Sequence, residues 1–112
     1  MKAFQEPDRE LAERILAEVG FHDRLVGYRM RRRMGPVAVS LYSLEEVIGF
    51  LSEEMPQLDV DGLHAWVRGT MKDTDLARAI QDINSEEGSD REKLLQIRNL
   101  MAARLIQCKR MA

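Results

Sequence analysis

The residues with the most chemistry to offer at close spacing are Arg29, Arg31, Arg32 and Arg33, in the stretch RMRRRMGPVAVSLY. A guanidinium is always charged and grips a phosphate or a carboxylate through two parallel N–H bonds. On a ribbon entering a nucleic-acid groove, four of them would form a phosphate-contacting face. On a hairpin turned to solvent, the same charges would protect an edge strand from aggregation. The second reading is the better supported, because Tyr28 has the opposite parity to Arg29, Arg31 and Arg33, which leaves no aromatic among them for base stacking.

The remaining reactive groups are scattered. Asp59-Val60-Asp61-Gly62 has the start of a calcium loop, but Trp66, Val67 and Arg68 stand where further oxygen ligands belong, and helix capping explains the aspartates better. His22 and His64 have no partner at metal-ligand or triad spacing. Cys108 is the single cysteine, so no intrachain disulfide exists and no zinc site is built on thiolates. It falls near a helix C-terminus, where the dipole disfavours a thiolate, which points to packing. No catalytic, cofactor or metal residues are assigned on this basis, and the chain reads as a non-enzyme.

The elements that must carry these residues are mostly helical. Asp8 caps a helix over 8–19 with the stripe Leu11, Ile15 and Val19, closed by Gly20. Ser43 and Glu46 form a capping box for a helix carrying Leu44, Val47, Ile48, Leu51 and Met55, stopped at Pro56. Asp59 or Asp61 opens a third helix through Leu63, Trp66, Val67 and Met71, and Asp73-Thr74 a fourth through Leu76, Ile80 and Ile83. Ser89 and Glu92 open a long fifth helix with Leu94, Ile97, Met101, Leu105 and Cys108, joined by Leu95, Leu100, Ala102 and Ile106 in a broad apolar face.

Between the first two helices the period changes to two. Val26, Tyr28, Met30, Arg32 and Met34 alternate with Gly27, Arg29, Arg31 and Arg33, and after Gly35-Pro36 the set Val37, Val39 and Leu41 alternates with Ala38, Ser40 and Tyr42. A β-hairpin over about 25–42 follows, with a helix over 21–34 as the alternative, since Arg and Met favour helices. The expected fold is a single mainly α (α+β) domain spanning 1–112, with about five helices and this hairpin, packed around Leu51, Trp66, Val67, Ile80, Ile97 and Met101.

Two resemblances involve these elements. The order strand 37–42, helix 44–54 and helix 61–71 resembles a ribbon-helix-helix DNA-binding unit. It departs from that pattern in offering Ala38 and Ser40 to the groove, and in placing Asp59 and Asp61 where a phosphate would dock. Trp66-Val67-Arg68 followed by Asp73, Leu76-Ala77 and Ile80 resembles uncharacterised prokaryotic helical domains with a Trp-(Ile/Val)-Arg … Asp-x-x-Leu-Ala motif. That likeness covers residues 43–83 and implies no activity.

Composition bounds the rest. With 45% hydrophobic and 32% charged residues the chain belongs with folded domains. A chain of this size buries roughly two thirds of its unfolded surface. The formal charge is −2, yet residues 1–42 carry eight Lys+Arg against six Asp+Glu and residues 43–112 nine against thirteen, so the positive charge is local. No stretch has the apolar core of a secretory signal or approaches the roughly 18 residues of a membrane span, which gives a cytoplasmic expectation. The functional expectation is a non-catalytic interaction or regulatory module that binds a protein partner or itself as a homodimer. Its contact surface is either the hairpin or the last helix, through Met101, Leu105 and Cys108. A nucleic-acid regulator using Arg29, Arg31, Arg32 and Arg33 is the alternative.

Overall fold

A computed structural model describes residues 5–111; residues 1–4, where the stretch read for a signal begins, and residue 112 lie outside them. Five helices and a three-stranded antiparallel sheet form an α+β fold in the order α1 (Arg9–Leu16), β1 (Leu25–Arg31), β2 (Gly35–Leu41), α2 (Leu44–Leu51), β3 (Pro56–Gln57), α3 (Val60–Gly69), α4 (Thr74–Asn84) and α5 (Asp90–Met111). The hairpin read from the alternation is present, between α1 and α2, and the helical alternative over 21–34 is not.

The capping chemistry sets the helix starts. Asp8, Ser43, Asp59 and Asp73 each accept from the backbone N–H three residues on, at 2.8–3.1 Å. Asp59, not Asp61, caps α3; Asp61 instead accepts from Asn84 Nδ2 on α4 at 2.9 Å. Glu46 departs from the usual capping box, reaching back one residue further to accept from Tyr42 N–H at 3.1 Å.

Three helix ends fall short of the sequence pattern: α3 ends at Gly69, leaving Met71 beyond it but buried, and the other two have a tertiary reason. α1 stops at Leu16 because Ala17 turns extended and Val19 N–H donates to Tyr42 O at 2.7 Å, laying 17–20 beside the end of β2. Gly20 therefore precedes a single 3-10 turn at Phe21–Asp23 instead of ending α1. α2 stops at Leu51, with Ser52 Oγ donating to Ile48 O at 2.8 Å, so Met55 leaves the apolar stripe and is 63% exposed. The chain then runs back along β1 as β3, pairing Tyr28 with Gln57 and Arg29 with Pro56. Pro56 reads as a helix stop, and it tolerates this edge position because it needs no outward donor.

The core is continuous across the helices. α1, α2 and α4 all pack on α5, and α3 packs on α4. Leu51, Trp66, Val67, Ile80, Ile97 and Met101 are all buried, as their periodicity predicts. Trp66 also donates from Nε1 to Asp23 O at 2.6 Å, tying α3 to the segment entering β1. The sheet order is β2-β1-β3, and only the open end of the hairpin reaches the core, through Leu25, Gly27 and Leu41. At Gly27 an added Cβ would lie 2.7 Å from Phe50 Cε2 and 3.3 Å from Gln57 O, so the ring of α2 is seated directly on the β1 backbone.

The hairpin closes through Arg32, Arg33 and Met34, with Met34 N–H donating to Arg31 O at 3.3 Å. Arg33 is left-handed, at φ 68°, as is Gly35 at φ 70°. Left-handed backbone costs a side-chain-bearing residue about 1–2 kcal/mol, which glycine avoids.

Candidate functional site

The four arginines of the run end up in different places. Arg29 lies on the same sheet face as Gly27, the face turned toward α2, and grips Glu53 with both ends of its fork: Nε to Oε1 at 2.7 Å and Nη2 to Oε2 at 2.6 Å. That bond and the nearby positive charge hold the Glu53 carboxyl below its ordinary value, with Arg31 contributing, while the Arg29 guanidinium is pushed up by the same partner. Arg31 continues that face beyond the helical body and is exposed, and Arg32 and Arg33 occupy the turn. Among the described residues no ion pair holds Arg31, Arg32 or Arg33.

The alternation separates the faces, but the expectation that the arginine-bearing face is the solvated one is reversed at Arg29, whose face is turned toward α2. Gly27, Val37 and Val39 face inward with Arg29, because Phe50 needs a side chain of zero width opposite it. The outer face is consequently apolar: Tyr28 pairs across the strands with Ala38 and Met30 with Pro36, and Tyr28 and Met30 are 47% and 52% exposed. Met34 at the tip is 72% exposed. At the base of this face Arg24 donates to Ser40 Oγ at 3.2 Å and to Phe21 O at 2.8 Å, and its guanidinium stacks 3.8 Å above the Phe21 ring. The result is a projecting ribbon with an apolar outer face and a basic tip.

The other predicted contact residues are elsewhere. Met101 and Cys108 are 0% exposed and Leu105 is 9% exposed, all three facing the protomer's own core. The broad apolar face of α5 is explained by helices packed on it from several sides, and the residues it leaves at the surface are Leu95 and Ile106. Burial pushes the Cys108 thiol up, partly countered by Arg104 nearby. The described residues contain no group of three His, Cys, Asp or Glu side chains able to hold a metal ion, and none of their helices is long and apolar enough to cross a membrane.

One ionic site is absent from the motif reading. Arg104, 1% exposed in the middle of α5, donates from Nε to Asp73 Oδ2 at 2.7 Å and from Nη2 to Asp73 Oδ1 at 3.0 Å. Its Nη1 donates to Gln5 O at 2.7 Å and to Gln107 Oε1 at 3.0 Å. Asp73 meanwhile caps α4, so one carboxylate organises the α3–α4 corner and neutralises the only arginine buried among the described residues. With every buried polar side-chain atom there satisfied, the geometry is that of a structural clamp.

A groove of about 390 Å³ opens beside the hairpin base, between the loop after α2 and the first turns of α5. Leu51, Met55, Leu58, Leu94 and Leu95 give it apolar walls, and Glu53, Glu54 and Asp90 give it an acidic rim. A second, more polar depression lies between α3 and α4, where His64, Arg68 and Arg78 line it.

No family model, curated protein or solved structure matches this chain.

Proposed function

We propose that this protein is a non-catalytic interaction module, acting in the cytoplasm, that associates with itself through its hairpin. The observation that carries this reading is the outer face of the ribbon. Tyr28, Met30 and Met34 are each about half exposed or more, on an element that only its base secures to the core. Exposed apolar groups clustered on one face, rimmed by charge, mark contact surfaces in folded domains, and methionine adapts to varied partners. The last helix is not used, since Met101, Leu105 and Cys108 already serve the core.

The test is sedimentation equilibrium across a wide concentration range. The wild type forms a reversible dimer, and Met30→Asp, at a position with no role in the core, shifts the equilibrium to monomer while leaving the unfolding transition in place. A wild type that sediments as a 12.9 kDa species at every concentration contradicts the reading.

A second reading rests on a specific observation: Arg31, Arg32 and Arg33 are all exposed at or beside the turn. A nucleic-acid regulator using them would bind mixed-sequence DNA or RNA with an affinity that falls steeply between about 50 and 200 mM salt. Fluorescence anisotropy separates the two readings, because the interaction module gives no saturable nucleic-acid binding at the lower salt concentration.

A further inference from the structure

We propose that the basic hairpin tip of one copy docks in the acidic-rimmed groove of a second copy, reciprocally about a two-fold axis. This rests on the self-association reading above and names the surface that receives the hairpin. The two surfaces match in chemistry. The tip presents Met30-Arg31-Arg32-Arg33-Met34, two exposed methionines flanking three cations. The groove presents Leu51, Met55 and Leu94 behind the carboxylates of Glu53, Glu54 and Asp90, with Arg91 the single cation on its lining.

Two further observations favour a cationic occupant. The C-terminus of α2 opens into the groove with no basic residue in its last turn, and Glu53 and Glu54 follow at once, so the negative end of the helix is reinforced, not neutralised. Arg29, from the same arginine run, already grips Glu53 in the bidentate manner that a tip arginine would use on Glu54. Among the described residues no ion pair holds Glu54 or Asp90. On the opposite wall Arg91 and the positive end of α5 partly offset Asp90, which favours the α2 side for the arginines and the leucines of α5 for the methionines.

Reach favours closure over an open chain. Arg29 pairs with Pro56 at the groove's edge, and Arg33 in the turn lies four residues on, about 13 Å at the rise of a strand. With tip and groove this close on one copy, a two-fold axis between them lets each tip meet the other copy's groove in the same dimer. The retention of Arg33 in a left-handed conformation, where glycine would be unstrained, is also understandable if its side chain makes a contact outside the protomer.

The experiment uses two full-length charge-reversed variants, Arg31→Glu/Arg32→Glu/Arg33→Glu at the tip and Glu54→Arg/Asp90→Arg at the groove, with circular dichroism confirming that both fold. Each alone sets like charges at both contacts, and its dimer weakens by more than about tenfold. Mixed one to one they restore opposite charges at both contacts, so sedimentation shows a dimer containing one copy of each. A wild-type dimer with a groove variant that dimerises equally well overturns the docking while leaving hairpin association standing. Failure of the mixture to dimerise also overturns it. A wild type that stays monomeric up to about 1 mM, where binding free energy falls to about −4 kcal/mol, overturns the self-association reading itself.

Discussion

Two arginines in this molecule hold a carboxylate by the same fork-to-fork geometry and do opposite things with it. Arg104 and Asp73 are each about 1% exposed, whereas Arg29 and Glu53 are 39% and 36% exposed at the base of the hairpin. Around the buried pair solvent is shut out, every buried nitrogen and oxygen has a hydrogen-bond partner, and the carboxylate also caps a helix. Removing one partner there leaves a charge with nowhere to go. Around the exposed pair water can replace either partner, and the bond mainly aims the ribbon. Identical chemistry is thus structural in one region and adjustable in the other, and burial decides which.

Arg104→Leu is expected to lower the unfolding free energy by about 3–5 kcal/mol in urea titrations, because Asp73 is left buried without its cation. A loss under about 1 kcal/mol would place this pair with the surface ones. The same variant sharpens the contrast through Cys108. In the wild type its thiol, buried and pushed up, reacts with a disulfide reagent only through opening. In Arg104→Leu the labelling rate should rise by about two to three and a half orders of magnitude, the amount that the lost stability converts to at about 1.4 kcal/mol per tenfold.

Gly27→Ala tests the hairpin base without touching a charge. The new methyl meets Phe50 at 2.7 Å, and overpacking of this kind costs about 1–3 kcal/mol. Phe50→Leu in the same chain should return part of it, as read by thermal unfolding. The smallest effect belongs to Arg29→Ala, because water can replace either partner of this exposed pair. Its sign with pH is fixed by the lowered Glu53 carboxyl. The pair's contribution is complete above the ordinary glutamate value of 4.5 and is lost as pH falls through the lowered one, so variant and wild type converge in acid. An NMR titration of Glu53 that keeps its depressed midpoint after Arg29→Ala would show that the cause lies elsewhere.

The helices were legible because their signals are local: a capping side chain, a 3.6-residue period and a polar loop between them. The hairpin was legible for the same reason, as a period of two broken at Gly35-Pro36. Which of its faces meets the core reads the wrong way round, because charge points Arg29 to solvent while the decision comes from Phe50 seated on Gly27. α1 ends early because of Tyr42, and β3 exists because β1 offers an edge, both contacts between distant segments. Arg104 is not legible as buried, because a lone arginine on a long helix reads as solvated and its partner lies 31 residues away. The clustered arginines drew attention while the isolated one closed the core. Only the prior that a charge is rarely buried unpaired links Asp73 to some cation, and it does not say which.

The measurement that bears most directly on the central claim, that contact is made by the hairpin and its groove while stability is held by the helical body, is amide hydrogen exchange on the wild type at low and high protein concentration. Concentration should raise protection together at residues 30–34, 52–58 and 90–95, with no change along the outer surfaces of α3 and α4. Exchange that is independent of concentration, or protection that appears on α3 and α4 instead, would contradict the account.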